Sequence, residues 1–382
     1  MRSIHLAFPA LPPAHDGIGD HTARLAGALA EHVGVTVLTT PAAAAGAVLS
    51  PGVRARPALR WRRRYVDASG LAEAVAAERP GALVLQYNPN SWGLQGINPL
   101  LPRAFRAARR AHPRLRLGLM VHEPFYPPTT LKRAVLSAAQ RRQLRALVRA
   151  ADVVFVSTEA WEAPLRGWAR SGTPFVLLPS GSNVEEAGWT REAARAALGL
   201  GADTLVAGVF GTAHYSRLLP LVRVAADRLR AAQAARGADF LVLYVGPDGA
   251  AVRTALSGLP VRDLGRLPEE GVSQALTAMD LHLVPFFRGV SARRGSFTAG
   301  LQHGLPSVST LGSQTDRFLA EADGAAFLLA PEDDAGTYAA HAVTLASDPV
   351  RRRAMAEAAR KLYLDTFAWP LLAERVLASL SP

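Results

Sequence analysis

Ser3-Ile4-His5-Leu6-Ala7-Phe8 leads to Asp16-Gly17-Ile18-Gly19-Asp20, and the same grammar returns at Phe210-Gly211-Thr212. In both places a short apolar run, of the length of a buried strand, meets a glycine-containing turn and then a helical pattern. Such a turn at a helix N-terminus leaves backbone amides unpaired and makes a place for phosphate. Two of them in one chain predict two nucleotide-binding folds facing each other across a cleft, with Gly17, Gly19, Gly211 and Thr212 as candidate phosphate contacts.

Working outward, apolar runs at 3–9, 35–40, 82–87, 115–121, 152–157 and 175–179 predict strands, with helical patterns at 19–31, 69–78, 99–112, 130–150 and 159–170 between most of them. Pro179-Ser180-Gly181-Ser182-Asn183 reads as a hinge. Beyond it the alternation restarts, with strands at 204–210, 240–245, 261–264, 280–285, 306–310 and 326–329 and helices at 217–235, 249–256, 269–278, 296–303 and 314–322. The last stretch reads as helix only, at 335–346, 348–364 and 369–380. Strands separated by helices mean parallel pairing with right-handed crossovers, so the fold class is α/β with two Rossmann-like doubly wound domains.

A length of 382 residues suits two domains rather than one core. No stretch reaches the roughly 18 consecutive apolar residues of a membrane span. The chain enters its first strand without a charged leader, so a cytoplasmic location is expected. With no cysteine, disulfides, zinc-thiolate sites and cysteine nucleophiles are excluded. The net charge of +12 is uneven: residues 1–184 hold 23 Lys and Arg against 10 Asp and Glu, and residues 185–382 hold 20 against 21. Arginines gather in Arg60-Trp61-Arg62-Arg63-Arg64, in 103–116 and in 132–149. A basic face of this kind suits a solvated surface, an acidic acceptor, or membrane association at an anionic surface. Neither a helix-turn-helix nor an aromatic RNA-binding strand nor a zinc module accompanies it, so nucleic acid is not an expected partner.

Four further stretches share an order. They are Gly17-Ile18-Gly19-Asp20-His21-Thr22-Ala23-Arg24-Leu25, Val121-His122-Glu123-Pro124-Phe125, Pro179 to Val184, and Phe367-Ala368-Trp369 with Ala373-Glu374-Arg375. In that order they resemble the first glycine loop, the strand-end histidine motif, the interdomain turn and the C-terminal helix of the GT-B glycosyltransferases. The resemblance is closest to the retaining glycosyltransferase family 4 (group 1) and runs over essentially the whole chain. It implies an acceptor domain at 1–184, a nucleotide-sugar donor domain at 185–364, and a final helix at 365–382 that crosses back onto the first domain.

The same resemblance distributes the roles. Family members carry a glycine, an arginine and a lysine around the donor diphosphate, and Gly211, Thr212 and Arg217 stand at those positions, so one cation is kept as Arg217. The family's paired glutamates, which hold the donor sugar and the ribose just before a Gly-Leu-Pro turn, align with Ser291 and Ala299, so both carboxylates are absent. In their place stands Ser291-Ala292-Arg293-Arg294-Gly295-Ser296-Phe297-Thr298, an amide-rich helix start with two added cations. Arg293, Arg294, Gly295, Ser296, Phe297 and Thr298 are therefore expected donor contacts, and Arg293 or Arg294 takes the place of the cation missing at Thr212.

His122 and Arg217 are the expected catalytic residues, with Tyr87, Asn88 and Glu123 on the acceptor side. The implied reaction is transfer of a hexose from a nucleotide sugar to the hydroxyl of a glycan, lipid or small-molecule acceptor, with retention of configuration. The leaving phosphate accepts the proton, and no cofactor is needed beyond the donor substrate. No Asp-x-Asp pair follows a strand and Asp333-Asp334 sits in a turn, so a metal is not expected. Two other readings stay open. One is an inverting enzyme with a base among His15, Asp16, Asp20 and His21; the other is a non-catalytic sugar-nucleotide-binding partner.

Overall fold

The computed structural model describes residues 1–213 and 215–381. They form two compact units: Met1–Pro179 together with Trp369–Pro382, and Ser180–Ala368.

The first unit contains strands β1 (Ser3–Ala7), β2 (Gly34–Thr39), β3 (Val53–Pro57), β4 (Arg60–Trp61), β5 (Val66–Asp67), β6 (Ala82–Tyr87), β7 (Arg116–Val121), β8 (Val153–Val156) and β9 (Phe175–Leu177). Seven of these build one sheet in the order β3-β2-β1-β6-β7-β8-β9, every pair parallel, while β4 and β5 make a separate antiparallel hairpin. The strand order reverses between β1 and β6, which puts the binding crevice of such a sheet at the carboxyl ends of its central strands. Ile4 and Leu6 face the side covered by Leu25 and Leu29 of the helix Gly17–Ala30. Ala7 joins the other side, with Leu71, Val75, Phe105 and Leu147. The final helix, Trp369–Leu380, lays Leu372, Ala373, Val376 and Leu380 onto the first of these faces. Each large apolar side chain so buried contributes roughly 1.5–3 kcal/mol, which ties the end of the chain to this core.

The second unit contains β10 (Leu205–Phe210), β11 (Phe240–Val245), β12 (Val261–Asp263), β13 (Leu281–Leu283), β14 (Ser307–Leu311) and β15 (Leu328–Pro331), parallel in the order β12-β11-β10-β13-β14-β15. Here the order reverses between β10 and β13. Leu205, Ala207 and Val209 pack on Val222, Ala226 and Leu229 of the helix Leu219–Ala234, and Val206 packs on Val272 and Leu276 on the opposite face.

Several elements depart from the sequence expectation. β3 is an edge strand whose Arg54 and Arg56 reach Glu78, so its Val-Arg-Ala-Arg-Pro pattern carries too little apolar character to announce a strand. The helix expected at 159–170 shrinks to a 3-10 turn at Glu159–Trp161 and a short helix at Glu162–Arg166, because Gly167 ends it. The helix expected from 217 begins at Leu219, which leaves Arg217 outside it. Among the described residues, no helix is long and apolar enough to cross a membrane.

Candidate functional site

In the second unit, β10 ends at Phe210 and the chain turns through Gly211 at φ +100°. The Tyr244 hydroxyl donates to the Gly211 carbonyl at 2.9 Å and so fixes the turn. The turn does not run into a helix as expected. Instead Ser216 to Leu218 pairs with Pro285 to Phe287, through Phe287 N to Ser216 O at 2.8 Å and Leu218 N to Pro285 O at 3.2 Å. This detour carries the Arg217 side chain inward, where it is 6% exposed. Its Nη2 donates to Phe210 O at 2.8 Å and to Ser296 Oγ at 3.0 Å, and its guanidinium lies 4.6 Å from the ring centroid of Phe286. Nη1 is buried and has no hydrogen-bond partner among the described residues. Burial lowers the pKa of Arg217 to about 10, still charged at neutral pH, and no carboxylate pairs with it there.

The helix Gly295–Gln302 starts beside this cation without a side-chain cap, so the positive end of its dipole lies next to Arg217's charge. Arg294 Nη1 donates to Ser216 Oγ at 3.3 Å, and its guanidinium lies 4.4 Å from the Phe286 ring. Arg293 reaches Gln314 Oε1 at 3.3 Å. Gly211, Arg217, Arg294, Gly295 and Ser296 are thus brought together, with Arg293 alongside. Thr212 is exposed beyond the turn. Two of the expected donor contacts point into the protein interior. Phe297 is fully buried, edge-on to Phe327 at 5.1 Å, and the Thr298 hydroxyl is spent on Gly295 O at 3.0 Å; both are packing residues of the helix. At the positions aligned with the family's glutamates, Ser291 and Ala299 are fully buried. Sequence reading missed Phe286, the ring shared by both guanidiniums, and Ser216, because the expected strand ended at 285 and the pairing of 216–218 with 285–287 is long-range.

In the first unit, the carboxyl ends of β6 and β7 carry a row of polar pairs. His122 Nε2 lies 2.7 Å from Gln86 Oε1, Asn88 Nδ2 donates to Glu123 Oε2 at 3.3 Å, and the Tyr126 hydroxyl donates to Asn90 Oδ1. With Gln86 Oε1 accepting, His122 carries its proton on Nε2. Burial, and then the neighbouring His21, push its pKa well down, so it is neutral at pH 7. Tyr87 is fully buried, its hydroxyl accepts from Gln143 Nε2 at 3.2 Å, and it packs in the core beneath this row. The first glycine loop carries its own carboxylate cap. Asp16 Oδ1 accepts from Ile18 N and Gly19 N, both at 2.9 Å, so a carboxylate already caps the helix where a phosphate was expected near Gly17 and Gly19. Gly19 has a packing reason instead, since a Cβ there would sit 3.1 Å from Ala10 O.

His21 lies behind His122, with ring centroids 4.8 Å apart, and 5.1 Å from Trp369. Neither of its ring nitrogens has a partner among the described residues, and burial lowers its pKa from 6.5 to about 4. A histidine lowered on folding contributes stability that is whole above its unfolded pKa and is lost as pH falls toward the folded one. The apparent melting temperature should therefore drop between pH 6.5 and 4, at a cost approaching about 1.4 kcal/mol per pH unit from His21 alone. His21→Phe should flatten that slope without abolishing it, because His122 and His282 are also lowered. Calorimetry of both proteins across this range checks it, and equal slopes would place the titrating group elsewhere.

No protein-family model matches the chain, and no curated protein matches it in sequence. Solved structures do. Sucrose-phosphate synthase from Thermosynechococcus elongatus superposes with a TM-score of 0.69 at 18% identity, covering 99% of this chain and 98% of that one. WaaG, a glycosyltransferase involved in lipopolysaccharide biosynthesis, gives 0.69 at 15% identity over 99% of both chains. HepE from Anabaena, solved with UDP and glucose, gives 0.62 at 15% identity, covering 100% of this chain and 99% of that one. At these identities the likeness speaks for the fold alone. The chain has the two Rossmann-like sheets of the GT-B architecture, a glycosyltransferase-like fold.

Proposed function

We propose that the protein is a glycosyltransferase that moves a hexose from a nucleotide-sugar donor to an acceptor hydroxyl, with retention of configuration and without a metal. Arg217 carries this reading: a buried guanidinium, unpaired with any carboxylate among the described residues and set beside an uncapped helix start, suits a bound anion. A donor diphosphate supplies that anion. As the bond from the anomeric carbon to the phosphate oxygen breaks, a new bond forms to the acceptor oxygen, whose proton passes to the departing phosphate. The charge gathering on that phosphate is met by Arg217, Arg294 and the amides of Gly295 and Ser296. His122, kept neutral, orients substrate by hydrogen bonding, with Asn88 and Glu123 on the acceptor side. The inverting alternative is weakened by Asp16, whose carboxylate is occupied as a helix cap. In this reading the protein works in the cytoplasm, and its basic first unit meets an anionic membrane surface.

A thermal-shift screen against UDP, GDP, ADP, dTDP and their sugar conjugates tests the reading, since a ligand of the native state raises apparent stability. One nucleotide class should stabilise the protein selectively, and the matching sugar conjugate should be turned over. A stabilising conjugate that is never turned over, with any acceptor hydroxyl or with water, would favour the non-catalytic partner suggested by Ser291 and Ala299. No shift with any nucleotide would remove the donor site.

A further inference from the structure

We propose that the first unit docks on an anionic lipid bilayer through the outer face of the helix Leu131–Ala150 and the adjoining hairpin β4–β5. The inference deepens the reading above by naming the docking face, and it rests on that reading only for its purpose. The helix carries six Lys and Arg and no Asp or Glu. Along its outer face, Leu131 (84% exposed) and Val135 (64%) come first, and Arg142, Arg145 and Arg149 follow at spacings of three and four. The opposite face, through Leu144, Leu147 and Val148, is buried in the core. An isolated exposed leucine needs no explanation. Two more large apolar residues of this unit are exposed: Trp61, at the end of β4, is 56% exposed, and Leu94 is 61% exposed.

Hydrogen bonds join the hairpin and the loop to the inner side of the helix. Leu94 N donates to Arg64 O at 2.7 Å, which ties the loop to the hairpin, and Gln140 Nε2 donates to Gln95 O at 2.7 Å, which ties the loop to the helix. The hairpin adds Arg60, Arg62, Arg63 and Arg64, all exposed. Exposed apolar side chains and an indole with cations along the same elements match the boundary of a negatively charged bilayer, where the aliphatic groups enter the acyl edge and the guanidiniums stay among the phosphates. Neither signal alone holds a protein at a membrane; two together do. The same helix follows directly on the segment that carries His122 and Glu123, so docking would bring the candidate acceptor residues to the lipid surface.

The test is co-sedimentation of the full-length protein with phosphatidylcholine vesicles, with and without phosphatidylglycerol, at low and high salt. Binding should need phosphatidylglycerol and weaken with salt. Arg142→Gln/Arg145→Gln/Arg149→Gln should lower the partition coefficient on the order of 100-fold, and Leu131→Ser/Val135→Ser about tenfold or more. All five positions are exposed, and an unchanged melting temperature in each variant shows that it is folded. Equal binding to neutral and anionic vesicles, binding to neither, or binding that the variants leave intact would overturn the proposal. So would duplex DNA that depends on the arginines as strongly as vesicles do, with Leu131 and Val135 irrelevant to both, since that is a general polyanion surface. The nucleotide-induced thermal shift reports separately on the donor site, so either reading can fail without the other.

Discussion

Arg217→Gln is expected to erase the stabilisation produced by the responding nucleotide and to slow transfer on the order of 100- to 1,000-fold, while the unliganded protein keeps its melting temperature within about 4 °C. The first half follows from position. Arg217 is the one cation at this site that is both deeply buried and free of a carboxylate, so its charge is screened little by solvent and is available whole to a diphosphate. Glutamine keeps an N–H for Phe210 O or Ser296 Oγ but brings no charge. The second half follows from cost. Lowering the pKa from 12.5 to about 10 corresponds to a penalty on the order of 3 kcal/mol for holding the charged form in the interior. Removing the charge recovers that penalty and offsets the packing lost from the shortened side chain, so stability is traded for function at this residue. Thermal shift and initial rates of both proteins measure it. A variant that unfolds without ligand, or one that keeps its nucleotide response, would return Arg217 to a structural role.

Much of this architecture was legible in the sequence, and the reason is physical. Parallel strands buried on both faces read as continuous apolar runs, and helices between them read at a period of 3.6, so β1, β6, β7, β10 and β11 stand out. Where burial is one-sided or partial the signal fades. β3 alternates arginine with small residues, the hairpin strands β4 and β5 span two residues each, and none of the three appeared in the pattern. The two-sided burial that made β6 visible also concealed the direction of its side chains. Every residue from Ala82 to Tyr87 is buried, so alternation could not say that Gln86 meets His122 while Tyr87 turns into the core.

The candidate site was legible in its residue types and not in its geometry. Arg217 and the segment from Arg293 to Ser296 could be named because they stand where the resembling family places its donor cation and its paired glutamates. That Arg217 is buried depends on the pairing of 216–218 with 285–287, a contact between segments far apart in the chain. At the first glycine loop the competing signal was in plain view. Asp16 stands three residues before Gly19, the spacing of a helix cap, and a carboxylate that takes two of the first amides leaves them unavailable to phosphate.

Gly211→Ala should damage both stability and transfer, whereas Gly295→Ala should damage only donor binding. At Gly211 the backbone holds φ +100°, and an added Cβ would lie 3.2 Å from Ser296 Cβ and 3.4 Å from Arg217 Nη2. An alanine there is strained by about 1–3 kcal/mol, and the collision pushes apart the two side chains that define the anion site. Misplacing a catalytic group by about 1 Å can cost on the order of 100-fold in rate, so turnover should fall further than the stability loss alone explains. Gly295 differs: its φ is not positive, a Cβ would meet nothing within 4 Å, and the helix it begins tolerates alanine. Its melting temperature should hold. If a phosphate lies against this helix start, the methyl group stands in the path of the close approach that glycine allows, and nucleotide affinity should drop with stability unchanged. Isothermal titration with the responding nucleotide separates the cases. Gly295→Ala with full affinity, beside a Gly211→Ala that loses only stability, would move the phosphate away from both glycines and leave Arg217 without the partner its burial implies.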